Sequence, residues 1–433
     1  MKSFSIFQIV ILASFAALAV AGVLIFAFLV GGSRDATVGE VEIWGTLSES
    51  AYTTVMRQLA EEDSRLRQVK YVQKNADTFD RELLDALASG QGPDIVVLRH
   101  DYILKDGSKM VTIPFESFPK EQFESTFVDA AYPFLSTEGV VGVPFAIDPM
   151  VLYWNKDMLG TAGFAKPPQY WDEMFAIGSQ ATRRDPTNSI EKSGVALGEY
   201  TNVTHAKDIL SLLIIQAGGR VTSRDASGTL RPTLVAKVGE GTQGASESAL
   251  RFFTDFANPV KTHYSWNRAL QESRQAFAAG DLALYLGYAS EEPTIRRINP
   301  NLNFGISATP QIRDEDVSMN MARVYGYAIP RASDNQQGAL TIAYLLAGKE
   351  QSALITQALG IPAARRDVLA EPKTGNEQLI IKQAIIGRTW VDPDPGRTDE
   401  IFRDMIQGVT SGAAKLTEAL QRADRAMGDI IND

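Results

Sequence analysis

Between Val41 and Leu98 a short β-branched or apolar run alternates twice with an amphipathic stretch of helical length, and this pattern leaves few folds open. Val41 to Trp44 reads as a strand, and Glu49 to Asp63 as a helix with Tyr52, Val55, Met56 and Leu59 on one stripe. Val69 to Val72 is a second strand. Thr78 to Ser89 is a second helix, stopped by Gly90, and Ile95 to Leu98 is a fully apolar third strand after Pro93-Asp94. Two successive βαβ units demand right-handed crossovers and a mainly parallel sheet, and ligands of open sheets gather beyond the carboxyl ends of the strands. Those ends are Gly45 to Glu49, Gln73 to Asp77 and Arg99 to Tyr102, all rich in polar or aromatic groups. Ordinary loop polarity would explain the same composition.

Further along, Val140 to Pro144 and Val151 to Trp154 are strand-like, as are Leu282 to Leu286, Phe304 to Ile306 and Tyr325 to Ile329. Helical patterns cover Ala206 to Ala217, Ser246 to Phe256, Asn267 to Ala279, Gln336 to Leu346, Lys349 to Leu359 and Thr398 to Gly408. No short fixed period marks a solenoid or propeller. Ahead of this body, Phe4 to Val30 is apolar except for Ser5, Gln8 and Ser14. As a helix it would reach roughly 40 Å, enough for a tilted membrane span and longer than the core of a secretory signal. The expectation is an uncleaved N-terminal transmembrane anchor with the body outside, Lys2 preceding the span; a cleaved signal is the alternative. Residues 31–39 then form a tether.

With 433 residues, 45% hydrophobic and a mean hydropathy of -0.10, the chain has core for two or three lobes and is not a polytopic membrane protein. A formal charge of -10 argues against a nucleic-acid partner. There is no cysteine, hence no disulfide, thiolate metal site or Cys nucleophile. His100, His205 and His263 lie too far apart in sequence to form a local zinc motif.

Motif searches exclude more than they assign. Gly239 to Gly244 matches G-x-G-x-x-G, but the following helix runs into Asn258-Pro259 and not into a second strand ending in an acid, so a plain turn is the better reading. No P-loop, G-x-S-x-G or H-E-x-x-H occurs. Asp392, Asp394, Asp399 and Glu400 lack EF-hand spacing and read as a Pro-rich solvated loop. Two carboxylates for glycoside hydrolysis stay possible, with nothing to mark out a pair.

Four separated segments in order nevertheless carry a resemblance: FDRELLDALASGQGPDIVVL (Phe79 to Leu98), VVGVPFAIDPMVLYWNKDMLGTAGFAKPPQYWDEM (Val140 to Met174), SRQAFAAGDLALYLG (Ser273 to Gly287), and YGYAIP through ALGIPAARRDVL (Tyr325 to Leu369). Together they resemble the extracellular solute-binding proteins of ATP-binding-cassette importers, in the family that includes maltose-binding protein. The resemblance implies an α/β, two-lobed periplasmic-binding-protein-like fold (type II), each lobe a mainly parallel sheet flanked by helices. It implies crossings near Pro149 to Tyr153, Tyr285 to Tyr288 and Val324 to Tyr327, where Gly287 and Gly326 suit backbone bends. The expected division is 1–37 as anchor and tether, 38–148 with 288–323 as the first lobe, and 149–287 with 324–433 as the second. Many family members carry a lipid-modified cysteine; this chain has none, so attachment would fall to the N-terminal helix.

A carbohydrate is apolar on its ring faces and polar at its rim, so its cleft should combine aromatic faces with carboxylates, amides and guanidinium groups. The expected ligand residues of the first lobe are Trp44, Thr46, Glu49, Asp77, Arg99, Asp101 and Asp148; of the second, Tyr200, Asn202, Tyr288, Glu291, Arg323, Tyr325 and Trp390. Core packing is the competing role for Trp44, and a solvated rim for the acids and Arg99. The expected function is capture of a small solute, a sugar or oligosaccharide, by a monomer that hands it to membrane permease subunits, with no cofactor and no catalysis. A surface glycan hydrolase and a ligand-sensing receptor without transport are the alternatives.

Overall fold

The structure, a computed structural model, describes residues 38–236, 244–315 and 317–433. The apolar run Phe4 to Val30 and the turn Gly239 to Gln243 lie outside the described residues. Among the described residues no helix is long and apolar enough to cross a membrane.

Strands β1 (Val41–Gly45), β2 (Val69–Gln73) and β3 (Ile95–Arg99) pair in parallel in the order β2-β1-β3, with Ile43 opposite Ile95. Helix α1 (Glu49–Glu62) starts where the Ser48 hydroxyl accepts the Ala51 N–H, and it buries Tyr52, Val55, Met56 and Leu59 as one stripe. Helix α2 (Phe79–Ser89) ends on Gly90, whose φ of 68° supplies the left-handed turn that releases the chain toward β3.

The sheet does not stop at the edge of this unit. Strand β4 (Val143–Asn155) is 13 residues long, and its side chains are buried from Val143 to Tyr153. Strands β5 (Ile190–Val195), β6 (Leu282–Tyr288), β7 (Phe304–Ser307) and β8 (Asn320–Ala328) complete most of a ten-stranded sheet in the order β2-β1-β3-β8-β4-β6-β5, with β7 also on β4. Two large cores sit on this sheet, with a smaller cluster around Trp44, Val96 and Leu98 beside them. One gathers residues from Val41 to Ile147 and from Ala322 to Leu369. The other gathers Met150 to Met321 and, from the tail, Trp390, Phe402 and Met427. The border therefore cuts β4 at Asp148-Pro149 and β8 between Met321 and Ala322. The third passage is made by helix α4, numbered after α3 (Ala206–Gln216): α4 (Gly375–Ile385) sends Ala384 to the first core and Ile380 to the second.

Three expectations need correction. Residues 288–323 do not join the first lobe, nor does all of 324–433 join the second: Tyr288, Ile295 and Phe304 pack in the second core, and Val324 to Leu369 in the first. The reason is that β6 is not a crossing strand. It pairs antiparallel with Met150 to Trp154, the second-lobe half of β4, and its seven buried residues stay on that side. Nor is the second lobe mainly parallel: β6 and β7 both run antiparallel to β4, and among the described residues its parallel ladders are β5–β6 and the two-residue pairing of Asn320-Met321 with Gly387-Arg388. Finally, of the two glycines expected at bends only Gly326 marks one, where the register of β8 on β4 shifts beside Tyr325; Gly287 lies in a regular ladder, and neither is left-handed. They are glycines for space: a Cβ on Gly326 would meet the Phe134 ring at 2.5 Å, and one on Gly287 the Tyr285 ring at 2.5 Å. Phe134 is fully buried, so Gly326→Ala is expected to destabilise the fold by about 2 kcal/mol through overpacking, read as a lower urea midpoint at unchanged slope.

Candidate functional site

At the junction of the two cores the crossing strands place charges side by side. Arg99 ends β3 opposite Tyr325 of β8, and Arg323, two residues back on the same face, lies opposite Asp148 of β4. Arg99 grips both oxygens of Asp101 through Nε and Nη2, each at 2.6 Å, so the turn after β3 carries a bidentate pair. His100 in that turn accepts the Val324 N–H at Nδ1, 3.2 Å away. Burial draws its pKa down to about 4, so the ring is neutral at pH 7, as that acceptor role requires.

The second lobe answers with the start of α3. His205, the residue before it, holds a left-handed φ of 62°, an uncommon state for a side chain other than Gly or Asn. That turn aims Nε2 at Glu291 Oε1, 2.6 Å, while Nδ1 lies 3.3 Å from the Arg323 guanidinium. Glu291 also accepts the Tyr285 hydroxyl at 2.6 Å and the Tyr288 N–H at 2.8 Å. Asp208, in the first turn of α3, accepts the Tyr288 hydroxyl at 2.7 Å and Arg323 Nη2 at 2.8 Å, and the guanidinium lies 4.0 Å from the Tyr288 ring centre. Its neighbour Lys207 donates to Asp392 at 3.0 Å and lies 5.8 Å from the Trp390 ring centre.

The cluster is partly open to solvent: Arg99 and Arg323 keep 29% and 22% of their side-chain surface exposed, whereas Asp148 is 1% exposed. Its carboxylates divide accordingly. Burial works against the charge on Asp208, but Arg323, His205 and Lys207 overcome it and hold the group at about 2. Glu291 is likewise drawn against burial to about 2 by His205 and Tyr285, and Arg99 holds Asp101 below the usual carboxylate range. Asp148 accepts the Ser290 N–H at 3.1 Å, and burial pushes it up to about 6. Asp392 is also pushed up to about 6 by burial despite Lys207.

Of the residues expected from sequence, the fold brings together Arg99, Asp101, Asp148, Tyr288, Glu291, Arg323 and Tyr325, with Trp390 behind Lys207. The others have different places. Trp44 packs with Leu83, Val96 and Leu98 under the Lys74 ammonium, 3.5 Å from its ring centre, so its face is taken. Asn202 is an internal strut, donating to Asn267 O and Leu270 O and accepting the indole Nε1–H of Trp266. Glu49 and Asp77 are exposed, and Thr46 borders a cavity of about 50 Å³ with Asp80 and Arg99. Tyr200 turns its hydroxyl to Asp399. Sequence reasoning passed over Lys207 and Asp208, whose signal was charge in the first turn of a helix that follows the Tyr200 loop, and it read Asp392, which is buried here against Lys207, as part of a solvated loop.

Comparison with known proteins agrees with this architecture. The chain is similar to a Brucella abortus binding protein (18% identical, 54% of this chain), of which it spans about half the length, and to the galactooligosaccharide-binding protein of Bacillus subtilis (22% identical, 79% of this chain and 78% of that one). Among solved structures, the cyclic alpha-maltosyl-1,6-maltose binding protein of Arthrobacter globiformis superimposes with a TM-score of 0.72 over 91% of this chain and 99% of its own, at 16% identity. The sequence profile of the bacterial extracellular solute-binding proteins matches residues 58–380, and the chain belongs to that family.

Proposed function

We propose that the protein is the extracytoplasmic binding component of an ATP-binding-cassette importer, taking up a sugar or oligosaccharide between its lobes and presenting it to permease subunits. The observation that carries this is the cluster of partly exposed charges where β4 and β8 pass between the cores. Hydroxyl groups of a solute can donate to Asp148 and accept from the Arg99 and Arg323 guanidinium groups, which also suits a polar ligand that stays outside the aromatic core. Contacts to both lobes exist only when the lobes close, so the solute's binding energy shifts the open–closed balance. The protein is read as a monomer doing no chemistry, held outside the membrane by its N-terminal segment.

One observation favours a hydrolase as second reading: Asp148 at about 6 and Glu291 at about 2 are pushed apart as an acid and base would be. Both Glu291 oxygens are already engaged, by His205, Tyr285 and the Tyr288 N–H, which argues for a structural carboxylate. A single titration separates the readings. Tryptophan emission, with Trp390 beside the crevice, is expected to shift and saturate with one or a few members of a panel of neutral mono- and oligosaccharides, and mass spectrometry should recover that sugar unaltered. A flat response to the whole panel removes the sugar assignment, and cleaved product removes the transport one.

A further inference from the structure

The acidic segment Asp392 to Asp399, which runs into helix α5 (Pro395–Thr410), does more than border the site above, since each of its three aspartates reaches a different element. Asp392 takes Lys207 at the start of α3, Asp399 takes the Tyr200 hydroxyl, and Asp394 reaches across to the first lobe, where its Oδ1 lies 3.4 Å from Lys105 Nζ. Lys105 sits on the short helix Ile103–Asp106 and is held at 2.8 Å by Asp80 of α2. Asp394 belongs to the second lobe through α5, whose Phe402, Met405 and Ile406 pack in that core. The pair is about one-fifth exposed on either side, so it is partly shielded from solvent.

From this geometry we propose that Lys105 and Asp394 form a latch between the lobes: a pair that exists only when the cleft is shut, and that sets how often it opens without touching the solute. Asp80 keeps the ammonium oriented while the lobes are apart, so little side-chain freedom is lost on closure. On the other side, Asp394 is fixed by its second task, capping α5 through the Gly396 and Arg397 N–H groups at 3.0 and 3.3 Å. A pre-oriented cation therefore meets a pre-oriented anion. The proposal rests on the clamshell reading but on no particular solute.

The test uses the ligand-free protein. The chain has no cysteine, so Gln91→Cys in the first lobe and Ser411→Cys in the second, both exposed, give two unique labelling sites for pulsed electron–electron distance measurements. Lys105→Met keeps the apolar stem, and Asp394→Asn keeps the cap while removing the charge. Each is expected to raise the open-to-closed ratio about fivefold, and the double variant no further than either single one. Raising sodium chloride from about 0.05 M to about 0.5 M should open the parent protein more than Asp394→Asn, which keeps the Arg323–Asp208 pair between the lobes. Unchanged distance distributions in the single variants, effects that add in the double variant, or equal salt responses in parent and Asp394→Asn would each overturn the latch. A protein that binds no sugar yet shows the coupled distance change would keep the latch and remove the sugar assignment.

Discussion

Replacing Arg323 by methionine is expected to weaken solute binding at least about a hundredfold while leaving a folded protein. The residue stands on β8 where the strand passes between cores, and its guanidinium meets Asp208, the His205 ring and the face of Tyr288. Methionine preserves the stem but leaves Asp208 with the Tyr288 hydroxyl alone as a direct partner. Removing one member of a fully buried ion pair costs about 3–5 kcal/mol. Here both side chains keep about a fifth of their surface in contact with water, so a loss of roughly 1–3 kcal/mol in stability is the scaled figure. Binding suffers more than stability, because the guanidinium donors facing the crevice vanish together with the alignment of Tyr288, Asp208 and His205. Arg323→Lys should rescue little: one ammonium does not reach a carboxylate, a ring nitrogen and an aromatic face at once. Calorimetric titration with the sugar found by the fluorescence panel, paired with thermal unfolding, reads both quantities. Affinity within threefold of the parent would place Arg323 outside the binding surface.

Arg99 and Asp101 were legible before any coordinates because their position follows from local rules: a buried parallel strand, Ile95 to Leu98, must end somewhere, and the polar residues after it lie at the ligand side of the sheet. The same rule misplaced Trp44. Strand β1 is covered on both faces, Val41 and Ile43 contributing to one core and Trp44 to another, and no pattern in VEIW says which covered face lies near a cleft. Crossing strands were half legible for a related reason. The all-buried runs of β4 and β6 look alike in sequence, and only pairing decides that β4 passes between cores while β6 stays in one. Asp208 was invisible, and Asp392 was misread as solvated, because their roles come from partners 115 and 185 positions away, Arg323 and Lys207, which no local window contains.

A second large effect is expected at Asp148, and its sign depends on pH. Burial raises this carboxyl from 3.8 to about 6, so the folded protein binds its proton more tightly than the unfolded chain does. The penalty is absent below pH 4, grows as pH rises through the window from about 4 to about 6, and is complete above it, where it amounts to about 3 kcal/mol. Asp148→Asn keeps an acceptor for the Ser290 N–H and removes the charge, so the variant should be more stable than the parent at pH 7, by a few degrees in melting temperature, and equal to it at pH 4. Asp208 and Glu291, both held at about 2, lose stabilisation only as pH falls below about 4.5, and they do so in both proteins, so they cancel from the comparison. A melting-temperature gap as large at pH 4 as at pH 7 would show that packing, not ionisation, separates the two. The stored penalty also has a use. A solute hydroxyl donating to Asp148 favours the ionised form, so binding near pH 6 should release a proton, and affinity should fall as pH drops from 7 to 5 in the parent but not in Asp148→Asn. Burial is what makes the Asp148 carboxylate costly, and hydroxyl donors from a polyhydroxylated guest would offset that cost.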